Sequence, residues 1–145
     1  MTPVGLLYAF DPGLRATGAA IFQDGVLVRA GLPRSPIKSD RGPGAWRAMA
    51  KEVDRWLGPA PAVADVVVVE GQQVYMGRRD VNPDNLFQIC GVNGGLSVAV
   101  EAKAYILYLP RTWKRQVSTA EMADWIATQI TPEEEAAIEE CPASL

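Results

Sequence analysis

The sequence predicts an α/β domain: a five-stranded mixed sheet, three antiparallel strands and then two parallel ones, with helices on both faces. Three observations carry that expectation. Apolar runs at residues 19–23 and 26–30 flank Asp24-Gly25, a strong hairpin signal. The run VVVV at residues 66–69 is continuous and β-branched, which suits a central strand covered on both faces rather than a half-exposed one. Helix-like and strand-like segments then alternate, giving the order β-β-β-α-β-α-β-α.

Taken in order, residues 4–10 (VGLLYAF) form a strand that ends against Asp11, and DPGLRATG (residues 11–18) turns the chain into the 19–23 strand. The hairpin returns it through 26–30 and completes a meander. Residues 33–43 are rich in Pro, Gly and Ser and read as a loop. Trp46, Met49, Val53, Trp56 and Leu57 then recur at helical spacing until Gly58-Pro59 stops the run. A right-handed crossover through that helix lays the 66–69 strand parallel to the first.

Asn82-Pro83-Asp84 supplies a cap residue, a proline at the first helical position and an acid in the first turn. Leu86, Phe87, Ile89, Cys90, Val92, Leu96 and Val100 carry this helix onward. Gly91, Gly94 and Gly95 interrupt it, each at about 1 kcal/mol relative to Ala. Gly91 and Gly95 lie one turn apart on one face, so close approach of another backbone is expected there, either the sheet or a partner helix. A last strand at 105–109 ends at Pro110, and residues 120–129 and 132–140 read as short helices.

A chain of 145 residues fits one domain, 1–145, and its 48% hydrophobic content suffices for a packed core. Histidine is absent, which excludes Ser-His-Asp and Cys-His catalysis and the common zinc sites. Cys90 and Cys141 make neither a disulfide framework nor a ligand pair, so two reduced thiols are expected. Without a basic leader or a run approaching a membrane span, the expectation is a soluble, cytoplasmic protein with no membrane partner. Charge is uneven along the chain. Residues 1–115 hold all 14 cations beside 10 acids, net +4, whereas residues 116–145 hold 7 acids and no cation. A mildly basic body permits a nucleic-acid-binding face, and equally permits ordinary solvated surfaces.

Asp11 and Glu70 each end a strand, and if those strands are parallel neighbours their carboxylates face one another. Alone, Asp-Pro-Gly is a turn and a Glu after a strand is solvated. Together they repel unless a cation or proton is shared, and hard oxygen ligands suit Mg²⁺ or Mn²⁺. Such ions support phosphodiester hydrolysis. Gln72, Gln73, Tyr75, Arg78 and Arg79 follow Glu70 directly, offering amides, an aromatic for base stacking and guanidiniums for phosphate. Arg111, Lys114 and Arg115 follow the last strand and form a second basic group, or else plain surface charge around Trp113.

Four stretches, DPGLRATG, VVVVEGQQVYMGRR, NLFQICGVNGGLSVAV and YLPRTWKRQV, resemble in order and spacing the RuvC-type Holliday junction resolvases of the ribonuclease H-like superfamily. The resemblance implies a homodimeric, Mg²⁺-dependent endonuclease that cuts symmetrically related strands of a four-way DNA junction. It makes Asp11 and Glu70 catalytic metal ligands and Tyr75 an aromatic wedge at the junction centre. Lys114 becomes a DNA-contacting cation, and the helix around Gly91 and Gly95 the dimer contact.

The chain departs from the family's pattern in one respect. Two further acids, or an acid and a His, stand about a turn apart on the family's C-terminal helix, and no such pair is evident after Lys114. Three expectations follow: that the natural protein continues beyond Leu145 to the missing catalytic helix, that Glu135, Glu139 or Glu140 supplies the ligands from a rearranged tail, or that the chain binds junctions without cutting. An actin-like or kinase-like phosphate-handling protein, suggested by DPGLRATG alone, needs a second domain for which 145 residues leave no room. A structural protein with Asp11 as a turn former ranks below the nuclease and the binding module.

Overall fold

The computed structural model describes residues 5–37, 41–71, 82–109 and 119–140. Strands β1 (Leu6–Asp11), β2 (Gly18–Gln23) and β3 (Val26–Gly31) are followed by helix α1 (Pro43–Leu57), strand β4 (Val66–Glu70), helix α2 (Pro83–Ala99) and strand β5 (Tyr105–Tyr108). Helices α3 (Thr119–Gln129) and α4 (Pro132–Ala136) come last. The sheet order is β3-β2-β1-β4-β5, with β1 parallel to β4, β4 parallel to β5, and the other pairs antiparallel.

The β2–β3 turn follows from Asp24-Gly25, which adopt φ 52° and 83°. Both central residues of a type I′ turn need positive φ, the conformation whose twist matches the flanking strands. Helix α1 begins three residues before Trp46, because Pro43 occupies its first turn. Ala45, Met49, Ala50 and Val53 then form its buried stripe. Helix α2 starts where Asn82-Pro83-Asp84 placed it, the Asn82 side chain accepting the Asp84 N–H at 3.0 Å.

Strand residues two apart share a face, and Tyr8, Phe10 and Val67 point into the core beneath Met49, Val53, Val92 and Leu96. Helices α1 and α2 therefore cover one face of the sheet together. Their starts are clasped by Gln88, a buried amide whose Oε1 accepts from Gly42 N and Trp46 Nε1, both at 2.7 Å. Its Nε2 donates to Asp84.

Two glycines of α2, Gly91 and Gly95, meet α1. A Cβ on Gly91 would lie 2.1 Å from the Trp46 ring, and one on Gly95 would lie 3.1 Å from Ala50 Cβ and 3.4 Å from the Trp46 carbonyl. This close approach is within the chain, between α2 and α1.

The C-terminal segment departs from the expected helix over 132–140. Helix α4 stops at Ala136, and the chain then runs beside edge strand β3: Ala30 N donates to Ala137 O at 3.1 Å, and Glu139 N to Ala30 O at 2.8 Å. The Glu134 carboxylate accepts the Leu27 N–H at 2.9 Å while completing a capping box with Thr131. Backbone groups that an open edge would leave unpaired are filled in this way. Among the described residues no helix is long and apolar enough to cross a membrane.

Candidate metal centre

Register places the two acids. The parallel β1–β4 ladder pairs Tyr8 with Val67, Ala9 with Val68 and Phe10 with Val69, so Asp11 and Glu70 come next on neighbouring strands. Asp11 shares a face with Ala9, and Glu70 with Val68, opposite the buried Phe10. Both carboxylates therefore leave the sheet on the side away from α1 and α2. They line one cavity of about 550 Å³ together with Ala9, Gly18, Ala20, Val68 and Tyr108. Small residues form its floor, and Tyr108, paired with Glu70 across β4–β5, adds an aromatic wall.

The turn after Asp11 is held from several sides. Gly18 pairs with Asp11 across β1–β2. A Cβ at Gly13 would collide with the Ala16 carbonyl at 2.3 Å, so the loop closes only on glycine there. Thr17 is fully buried, with its Oγ1 3.4 Å from the Gly13 N–H. Residues 33–35, expected to be loop, pair with this turn: Thr17 N donates to Pro33 O at 3.0 Å and Ser35 N to Arg15 O at 2.8 Å. DPGLRATG is thus a pinned loop, and its local sequence gave no sign of its partner.

Two carboxylates on adjacent strands suit one Mg²⁺, which is commonly held by one or two acids with waters and substrate phosphates in its other positions. Among the described residues no group of three His, Cys, Asp or Glu side chains stands close enough to hold an ion. The rearranged-tail expectation is overturned for a physical reason. The Glu139 carboxylate accepts from Trp56 Nε1 at 3.0 Å and pairs with Arg29, whose guanidinium lies 4.1 Å from the Trp56 ring centroid. With Glu134 bonded to Leu27, the segment carrying Glu135 and Glu140 follows β3, two strands away from Asp11. The Trp56 indole, then Arg29, holds the Glu139 carboxyl below its ordinary value.

Gln73, Tyr75, Arg78, Arg79, Arg111, Lys114 and Arg115 lie outside the described residues. Two neighbours of the acids were missed in the sequence. Tyr108 read only as a strand residue. Asn93, whose Nδ2 donates to the Glu70 carbonyl at 3.4 Å, read only as part of a helix, although a polar residue amid CGVNGGL was a visible signal.

The arrangement can be set against known structures. T. thermophilus RuvC in complex with a Holliday junction substrate superimposes with a TM-score of 0.56 at 18% identity, over 97% of this chain and 84% of that one. The fold is RuvC-like. A second Thermus thermophilus RuvC structure gives a TM-score of 0.51 at 16% identity, covering 96% and 84% of the two chains. At such identity the likeness establishes the RuvC-like, ribonuclease H-like architecture and its mixed sheet. No protein-family model and no curated protein matches the chain.

Proposed function

We propose that the chain is a Mg²⁺-dependent, structure-selective endonuclease that resolves four-way DNA junctions by phosphodiester hydrolysis. The observation that carries the reading is the entry of Asp11 and Glu70, from neighbouring parallel strands, into one cavity of a RuvC-like fold. One similar structure is itself a complex with a Holliday junction substrate, which supports branched DNA as the partner.

In this reading Asp11 and Glu70 hold Mg²⁺, for which Mn²⁺ can substitute, and the ion would supply charge stabilisation at the scissile phosphate. The Asp11 turn, pinned by Thr17 and residues 33–35, keeps that carboxylate in place without reorganisation. Arg78, Arg79, Arg111, Lys114 and Arg115 contact phosphates, Gln73 offers an amide, and Tyr75 stacks at the opened centre. Symmetric cutting requires two copies. The face of α2 that carries Gly91 and Gly95, on which Phe87 and Val98 are 65% and 84% exposed, is the dimer contact in this proposal. A cytoplasmic location completes it.

The test is cleavage of a labelled four-way junction in Mg²⁺ and in EDTA. Wild type nicks it only with the metal. Glu70→Gln and Asp11→Asn lose more than the roughly 10–100-fold typical of changes outside the ligand shell, while still shifting the junction in a gel. Cleavage retained by Glu70→Gln sinks the assignment.

A second reading, a junction-binding module that does not cut, is favoured by one observation: among the described residues no third acid joins Asp11 and Glu70. A gel shift with no product in either Mg²⁺ or Mn²⁺ supports it.

A further inference from the structure

We infer that Asn93 is a positioning residue, holding the carboxyl end of β4 and through it the Glu70 carboxylate. The inference rests on the reading of Glu70 as a metal ligand.

Asn93 follows the buried Val92 on α2, within an apolar stretch where a polar side chain serves no capping role. Its Nδ2 reaches the Glu70 carbonyl oxygen at 3.4 Å. Its Oδ1 is buried and has no hydrogen-bond partner among the described residues. Half of this amide therefore costs stability, and the donor half is what the site uses.

The Glu70 carbonyl needs that donor because of the residue after Asp11. Gly71 N–H donates to Tyr108 O on β5 at 2.7 Å. In a trans peptide C=O and N–H point in opposite directions, so the Glu70 carbonyl points away from β5, toward β1. One rung beyond the Phe10–Val69 pair, the amide that would meet it belongs to residue 12. Pro12 has no N–H. The ladder thus stops at the residue whose side chain enters the cavity, and α2 supplies the missing donor from below. Loss of Asn93 would remove this hold on the Glu70 backbone from the α2 side, and the spacing between Glu70 and Asp11 would loosen.

The test uses the full chain as wild type, Asn93→Ala, Asn93→Asp and Glu70→Gln, with Ser97→Ala as a control on the same helix. Asn93→Asp keeps the side-chain size and removes the amide donor. Cooperative thermal unfolding verifies that each is folded. In metal-free protein, the ¹³C shift of the Glu70 carbonyl moves upfield in Asn93→Ala and not in Ser97→Ala. Mn²⁺ binding, followed by electron paramagnetic resonance, is lost in Glu70→Gln and weakened about 10–100-fold in both Asn93 variants. An unmoved carbonyl shift overturns the inference. So does Mn²⁺ affinity within about twofold of wild type in Asn93→Ala when Glu70→Gln has abolished binding, an outcome that leaves the metal site standing. Mn²⁺ binding that survives Glu70→Gln overturns the metal reading and this role for Asn93 with it.

Discussion

Glu70 stands one residue beyond the Phe10–Val69 rung, and its side chain leaves the same face of the sheet as that of Asp11 on the neighbouring parallel strand. Two like charges held side by side are tolerated where a cation joins them, and that relationship orders what should be measured.

Neutralising one acid should stabilise the metal-free protein and abolish its response to metal. Asp11→Asn is expected to gain about 0.2–1 kcal/mol without Mg²⁺, the scale of adjacent strand pairs. Wild type should gain about 1.4 kcal/mol when Mg²⁺ reaches ten times its Kd, and Asp11→Asn nothing. Thermal melts with and without the ion measure both effects, and an equal metal response in the two proteins counts against the site.

The helix contact makes opposite forecasts for glycines three residues apart. Gly91→Ala drives a methyl into the Trp46 ring, so overpacking of about 1–3 kcal/mol outweighs the propensity gain and the protein is destabilised. Gly94 has open space around its Cβ direction, and Gly94→Ala should gain up to about 1 kcal/mol. Urea denaturation of the pair decides it: equal effects would mean that α1 and α2 are not packed as described.

Gln88→Leu leaves the Gly42 N–H and the Trp46 indole N–H without their acceptor at the joined starts of α1 and α2. Both donors are half-buried, so each orphan costs the lower part of about 1–3 kcal/mol, and a loss of about 2–4 kcal/mol is expected in urea midpoint and slope analysis. A neutral substitution would show that the clasp contributes nothing.

The C-terminal clasp on β3 should release in acid. Glu134, through the Leu27 backbone N–H, and Glu139, through the Trp56 indole and then Arg29, are both held below their ordinary value near 4.5. Groups with lowered folded values contribute stability that is present above the unfolded value and lost as pH falls through the folded one. Stability should therefore be level from neutral pH to about pH 5 and decline below about 4.5, with a shallower decline in Glu139→Gln. Denaturant titrations between pH 3 and 7 test this, and an unchanged acid slope in Glu139→Gln would remove Glu139 from the account.

Local signals placed most of the fold correctly. Asp24-Gly25 produced the hairpin and Asn82-Pro83-Asp84 the start of α2, because turn and cap chemistry lies within a few residues. The VVVV run led to a central strand parallel to β1, because a helical crossover leaves little other choice. The C-terminal segment was misread, since Pro132-Glu-Glu-Glu has helical propensity but nothing in it announces that residues 137–139 lie along Ala30.

By itself the sequence determined the order of elements, the pairing of the strands that end in Asp11 and Glu70, and so the meeting of two carboxylates on one sheet face. Those outcomes depend on periodicity and on short-range turn and cap chemistry. Only the tertiary structure decided that Trp46 fills the space above Gly91, that Glu139 is engaged by Arg29 and Trp56, and that Asn93 donates to Glu70 where Pro12 cannot. Each of these joins residues more than twenty positions apart on different elements, and no local pattern encodes which distant group will meet them.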